Sequence, residues 1–242
     1  MAFYSSIADA YDDIFPLKTA QVQFVESALR MSNAKILDIG SATGSLALEL
    51  ARRGYVCTAI DFDKEMIKIA EEKALGVDAA PHFLQMDMRE IPGYFSETRF
   101  DAVICFGNTL VHLTNLSDIR HFLAQTAILL SNGGVLLLQI INYDRILDRG
   151  ISGLPSIETD RILFERFYEF DGETGLLDFH TILTVKDSGK KIENSLPLYP
   201  LRAAELEEML HPAGFTDIRK FGDFSGGPFS SESVRLIAQA KI

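Results

Sequence analysis

The chain has 242 residues, 47% hydrophobic, with 23 Lys and Arg against 34 Asp and Glu and a net charge of −11 when histidines are neutral. That length allows one large domain with a buried core and a small elaboration. An acidic balance repels polyanions, so small molecules rather than nucleic acid are the expected partners.

No run approaches the roughly 18 apolar residues of a membrane span, and no membrane partner is expected. The start, "MAFYSSIADAYDDIF", lacks the basic region and apolar block of a secretory signal, so a cytoplasmic location is expected. Cys57 and Cys105 fall in apolar runs and read as small core residues. His82, His112, His121, His180 and His211 are scattered without ligand spacing, so no metal is expected.

In chain order, "QVQFVESALRM" has helical periodicity and "KILDIG" is a first buried strand. "SLALELARRG" reads as a helix and "YVCTAID" as a second strand. "KEMIKIAEEKAL" is an amphipathic helix, "PHFLQMD" a third strand and "FDAVICFG" a fourth. "LSDIRHFLAQTAILL" is helical and "GGVLLLQII" a fifth strand. Such alternation argues for a parallel sheet covered on both faces.

The rhythm then changes. "RILFERFYEF", "GLLDFHTILTV" and "KIENSLPLYP", separated by "DGETG" and "KDSGK", carry hairpin signals and predict a small antiparallel unit over 151–199. Helical "RAAELEEMLHPAGF" and two closing strands, "TDIRKFG" and "SVRLIAQAKI", return the chain to its core unit. The expected fold is α/β, a doubly wound seven-stranded sheet of order 3-2-1-4-5-7-6 with its antiparallel strand in "SVRLIAQAKI". The core unit is placed at 31–150 and 200–242.

After the first strand comes "GSATG", a turn of small residues that invites close approach by a ligand. A dinucleotide fingerprint would need glycines where Ala42 and Ser45 stand, and a phosphate loop would need a lysine after Gly44. The stretch instead matches D-x-G-x-x-T-G from Asp38 to Gly44. In that it resembles the class I S-adenosylmethionine (SAM)-dependent methyltransferases.

The resemblance implies SAM as cofactor and S-adenosylhomocysteine as product. Gly40, Ser41, Ala42 and Gly44 would lie against the methionine part, and Asp38 would order the turn or hold the ammonium. Asp61, ending "TAID", is placed to accept the ribose hydroxyls. Phe62 and Met66 would flank the adenine, unless Met66 is core packing. Asp87 and Met88 would take the adenine edge, unless Asp87 merely caps "MREI".

"GNTLVHL" and "GGVLLLQIINYDRIL" resemble the glycine and sarcosine N-methyltransferase group. From this, Phe106, Gly107, Asn108 and Thr109 line the junction of cofactor and acceptor. His112 lies near the cofactor's tail or is a buried, satisfied histidine. Asn108 and Tyr143 are assigned to orienting the acceptor, with Asn142 and Tyr143 facing it. Residues 1–30 resemble a helical lid, with Tyr11 over the cofactor and Tyr4, Tyr168 and Tyr199 as further pocket hydroxyls. Ile141 stands where glycine-methylating members carry a basic residue, which tells against glycine and leaves less carboxylate-dependent amines or hydroxyls open. Arg145 and Arg166 are the substitutes that nothing in the sequence places. A non-catalytic SAM- or nucleotide-binding regulator is the rival reading, and a nicotinamide-dependent oxidoreductase a weaker one. Oligomeric state is left open, a homodimer included.

Overall fold

The computed structural model describes residues 2–29 and 31–242; Met1 and Arg30, both in the expected N-terminal unit, lie outside the described residues. The chain opens with helices α1 (Ala2–Ile7), α2 (Tyr11–Ile14) and α3 (Thr19–Ala28). There follow β1 (Lys35–Ile39), α4 (Ser45–Arg52), β2 (Val56–Asp61), α5 (Lys64–Ala74), β3 (His82–Gln85), α6 (Ile91–Tyr94) and β4 (Phe100–Cys105). A 3-10 turn at Thr109–His112 leads into α7 (Leu116–Leu129), β5 (Leu130–Ile141) and α8 (Tyr143–Asp148). Strands β6 (Gly153–Glu158), β7 (Ile162–Phe170), β8 (Leu177–Val185) and β9 (Lys190–Leu198) come next. The chain closes with α9 (Ala203–Leu210), β10 (Asp217–Phe221) and β11 (Arg235–Lys241).

Seven strands form the main sheet in the order β3-β2-β1-β4-β5-β11-β10, as the sequence predicts. The pairs among β1 to β5 are parallel, and β11 runs antiparallel to both β5 and β10. Strands buried on both faces need apolar residues at successive positions, and β1 and β4 supply them. Ile36, Ile104, Leu137 and Ile237 pack towards α3 and α4, whereas Leu37, Val103, Leu138 and Leu236 pack on the opposite face. Strand order reverses between β1 and β4, which opens a crevice beyond their carboxyl ends.

Strand β5 starts earlier than "GGVLLLQII" suggests. Leu130 pairs with Phe100 and Val135 with Ala102, so "SNGG" bulges out of the ladder instead of turning the chain before it.

The second sheet is separate, four antiparallel strands in the order β6-β7-β8-β9. Its first strand is absent from the sequence reading because Pro155 interrupts the run. The interruption is tolerated at an edge that pairs only with β7, where the register shifts between Leu154 and Ile157. Phe164 and Tyr168 are buried on its inner face, which closes over the crevice of the main sheet.

Gly44 joins the two levels of organisation. It caps α4 with φ +73°, and a Cβ there would lie 2.6 Å from the Phe83 ring and 2.8 Å from Ala70. Gly44→Ala therefore combines left-handed strain with overpacking, and should lower stability by about 2–4 kcal/mol in urea unfolding. A loss below about 0.5 kcal/mol would contradict this packing role.

Candidate active site

The turn after β1 is built from three left-handed residues, Gly40 (φ +71°), Ala42 (φ 48°) and Gly44 (φ +73°). The Gly40 and Ser41 amides both donate to the Ile60 carbonyl at 2.9 Å, which docks the turn onto the end of β2. A Cβ on Gly40 would fall 2.4 Å from the Thr109 side chain, so only glycine lets the turns after β1 and β4 approach this closely. Asp61 braces the turn from behind. Its Oδ2 accepts from the Ala42 amide and its Oδ1 from the Asp63 amide, each at 2.8 Å.

Asp38 ends up 3% exposed at the carboxyl end of β1. Its Oδ2 has no hydrogen-bond partner, and neither has the buried Oγ of Ser41. Both residues line one cavity of about 600 Å³, within the size range of small-molecule sites. Burial first, and then the nearby Asp61, push the Asp38 carboxyl up to about 7. Asp61 rises to about 6, burial outweighing its two backbone donors. A buried acid with an unpartnered oxygen calls for a cationic donor. The ammonium of an amino-acid tail, with Ser41 beside it, is such a donor.

The far wall comes from three other elements. Tyr4 and Tyr11 descend from the N-terminal helices; Phe106, Gly107, Asn108 and His112 follow β4; Phe164, Arg166 and Tyr168 project from β7. Tyr4 Oη and His112 Nε2 lie 2.9 Å apart. Burial lowers the His112 imidazole to about 4, so it is neutral at physiological pH. Burial likewise raises Tyr4, Tyr11 and Tyr168, whose hydroxyls stay protonated.

Of the residues expected from sequence, Asp38, Gly40, Ser41, Ala42, Tyr11, Phe106, Gly107, Asn108 and His112 line this cavity. Others do not. Gly44 packs against Phe83, and Met66 is 1% exposed within the core under α5, as the alternative reading had it. Phe62 is 53% exposed outside the cavity. Strand β3 stops at Gln85 and not at Asp87. The Asp87 carboxylate accepts from the Arg89 backbone at 2.9 Å and from its guanidinium, so it caps a turn there. Met88 packs partly buried against the core.

Asn142 and Tyr143 do not face the acceptor space. Asn142 caps α8 and donates to the Ser233 carbonyl, and Tyr143 is 1% exposed behind the wall. Asn108 reaches the cavity, yet its amide is engaged structurally. Oδ1 accepts from the Ile141 amide at 2.9 Å and Nδ2 donates to Tyr143 Oη at 2.9 Å. It clips the ends of β4 and β5 together.

Sequence reasoning missed Gln139, whose Oε1 receives the Gly107 amide at 3.0 Å. It also missed Asp12, which takes hydrogen bonds from Thr43 and Ser45 and pairs with Lys73. These contacts join residues far apart in the chain, and no local pattern announces them.

Sheet order, a left-handed turn at the reversal point and a buried acid beside it define a Rossmann-like protein that binds a small cofactor. A family model described as a methyltransferase domain matches residues 36–134. The chain is 32% identical over 209 residues to a glycine/sarcosine N-methyltransferase of Aphanothece halophytica, covering 85% of this chain and 76% of that one. The CcbJ methyltransferase of Streptomyces caelestis has the same fold, with a TM-score of 0.81 at 22% identity over 97% of this chain and 95% of that one. So does SAM-bound CalS10, an amino pentose methyltransferase from Micromonospora echinaspora, with a TM-score of 0.71 at 18% identity over 98% and 97%. The chain belongs to the class I SAM-dependent methyltransferases, and SAM is its cofactor.

The raised Asp38 value has a thermodynamic consequence. Its neutral form favours the folded state, a contribution complete below the ordinary 3.8 and lost as pH rises to about 7. Asp61 adds a fall of the same sign. Asp38→Asn should flatten the decline of stability across that range in urea unfolding. At neutral pH the variant should end roughly 1–3 kcal/mol above the wild type while losing most of its stabilisation by SAM. Parallel stability curves for the two proteins would contradict the assignment.

Proposed function

We propose that this enzyme transfers the SAM methyl group to an amine nitrogen of a small molecule. One observation carries the reading: Asp38 and Ser41, each with a buried oxygen that lacks a partner, line a cavity that continues past Asn108 to the second sheet. A regulator that only bound SAM would need no such continuation. When bound, SAM supplies an electrophilic methyl on a positively charged sulfur.

In this reading Asp38 and Ser41 hold the ammonium of the cofactor's amino-acid tail. Gly40 and Ala42 present backbone to that tail, and Asp61 accepts from the ribose hydroxyls with lone pairs its two backbone donors leave free. The wall of neutral hydroxyls and imidazole, Tyr4, Tyr11, Tyr168 and His112, then orients the acceptor. A neutral amine is already nucleophilic, so these groups need only accept its N–H hydrogens and aim its lone pair. Holding the reacting atoms about 3–3.5 Å apart and aligned supplies most of the acceleration. Asn108 acts as a positioning residue by fixing the wall through Ile141 and Tyr143. The glycine/sarcosine N-methyltransferase relative, which covers most of both chains, favours nitrogen over oxygen as the atom methylated.

Methyl-labelled SAM offered to a panel of primary and secondary amines, with matched alcohols, tests the proposal. Label should appear on nitrogen; transfer only to oxygen, or SAM binding without transfer to any amine, would overturn it. Asp61→Ala should weaken SAM binding by roughly 1.5–3 kcal/mol in calorimetry, the range for losing hydrogen bonds to a charged group. Unchanged affinity would remove Asp61 from the site.

A further inference from the structure

Arg166 lies in the middle of β7, between Leu154 of β6 and Thr181 of β8. It alternates with the outward Phe167 and shares the inner face with Phe164 and Tyr168, so its guanidinium lines the cavity. One Nη2 hydrogen bond ties it to the Pro155 carbonyl, and its Nε is buried with no partner. Its cross-strand neighbour Thr181 is fully buried, and the Thr181 Oγ1 also lacks a partner. Of the two, only Arg166 lines the cavity.

No carboxylate among the described residues relieves Arg166. Of the acids lining the cavity, Asp12 is taken by Lys73, Thr43 and Ser45, and Asp13 by Arg161. Asp38, the third, makes no contact with the roof. A partly desolvated cation with no carboxylate partner is unfavourable. Burial accordingly depresses the Arg166 guanidinium from its usual value. A site that keeps such a group has a use for it.

We propose that the methyl acceptor carries a carboxylate as well as its amine, and that Arg166 binds this carboxylate from the roof. The proposal rests on the methyl-transfer reading above. It reverses the expectation drawn from Ile141, because the cation missing from the end of β5 is supplied by β7. A guanidinium binds a planar carboxylate side-on through Nε and a terminal nitrogen. The Pro155 bond holds the plane in place. Phe164, Tyr168 and Phe179 form an apolar wall for the stem joining amine to carboxylate.

Calorimetric titration of the S-adenosylhomocysteine-loaded protein with 3-phenylpropionate and with 3-phenylpropionamide tests this, since the two probes differ in charge and hardly in shape. The acid should bind at least about tenfold more tightly than the amide. Arg166→Gln should abolish that preference, Arg166→Lys should retain part of it, and S-adenosylhomocysteine affinity should be unchanged in both. Equal binding of the two probes by the wild type, failure of the acid to bind, or a preference that survives Arg166→Gln overturns the Arg166 assignment alone. Failure of S-adenosylhomocysteine itself to bind overturns the reading on which it rests.

Discussion

Asp38 is a carboxylate fixed by the β1 backbone in a place where water does not reach its Oδ2, and no side chain supplies a hydrogen bond to that atom. Much of the surrounding geometry follows from that constraint. The left-handed turn from Gly40 to Gly44 folds past it, and Asp61 fixes the turn while adding a second acid that makes ionising Asp38 harder. The resulting penalty is borne by the empty protein and relieved by a cation. Arg166 presents the opposite case on the opposite wall. The cavity thus has an acid without a hydrogen-bond partner on its floor and a guanidinium without a carboxylate partner on its roof.

The two sheets that carry these poles are joined by the N-terminal helices. Ser5 bonds Asp63 at 2.6 Å, Asn194 of the roof bonds Ser6 at 2.9 Å, and Asp13 pairs with Arg161. Asp12 pairs with Lys73, and Tyr4 meets His112. Polar contacts shared with solvent contribute little each. The same helices also bury Phe3, Ile7, Ala10 and Ile14 in the core shared by the two sheets, so apolar packing anchors them beneath the polar contacts.

Most of the main sheet was legible because its strands are buried on both faces and its helices are amphipathic. Periods of this kind are local properties of "KILDI" and "FDAVIC". The glycine-bearing turn was legible for the same reason: three left-handed positions in five residues leave a mark in composition. What the sequence concealed is long-range. "GLPSIE" gives no strand signal, and β6 exists because β7 offers an edge for a bulged partner. Asp87 fits the spacing of a ligand, yet Arg89 two residues on captures it. Asn142 and Tyr143 sit in a recognisable string, but burial of α8 turns them inward. Arg166 was one of two unplaced arginines, with Arg145, until the pairing of β7 set which face it presents.

The central claim, that Asp38 is the acid which receives the cofactor's ammonium, is open to direct measurement by calorimetry of SAM binding in buffers of different ionisation enthalpy. At about half a pH unit below the Asp38 value of about 7, most of the Asp38 population is protonated in the free protein and must ionise on binding. The account predicts release of about three-quarters of a proton there from this group, lost in Asp38→Asn. The same net proton exchange in wild type and Asp38→Asn would contradict it.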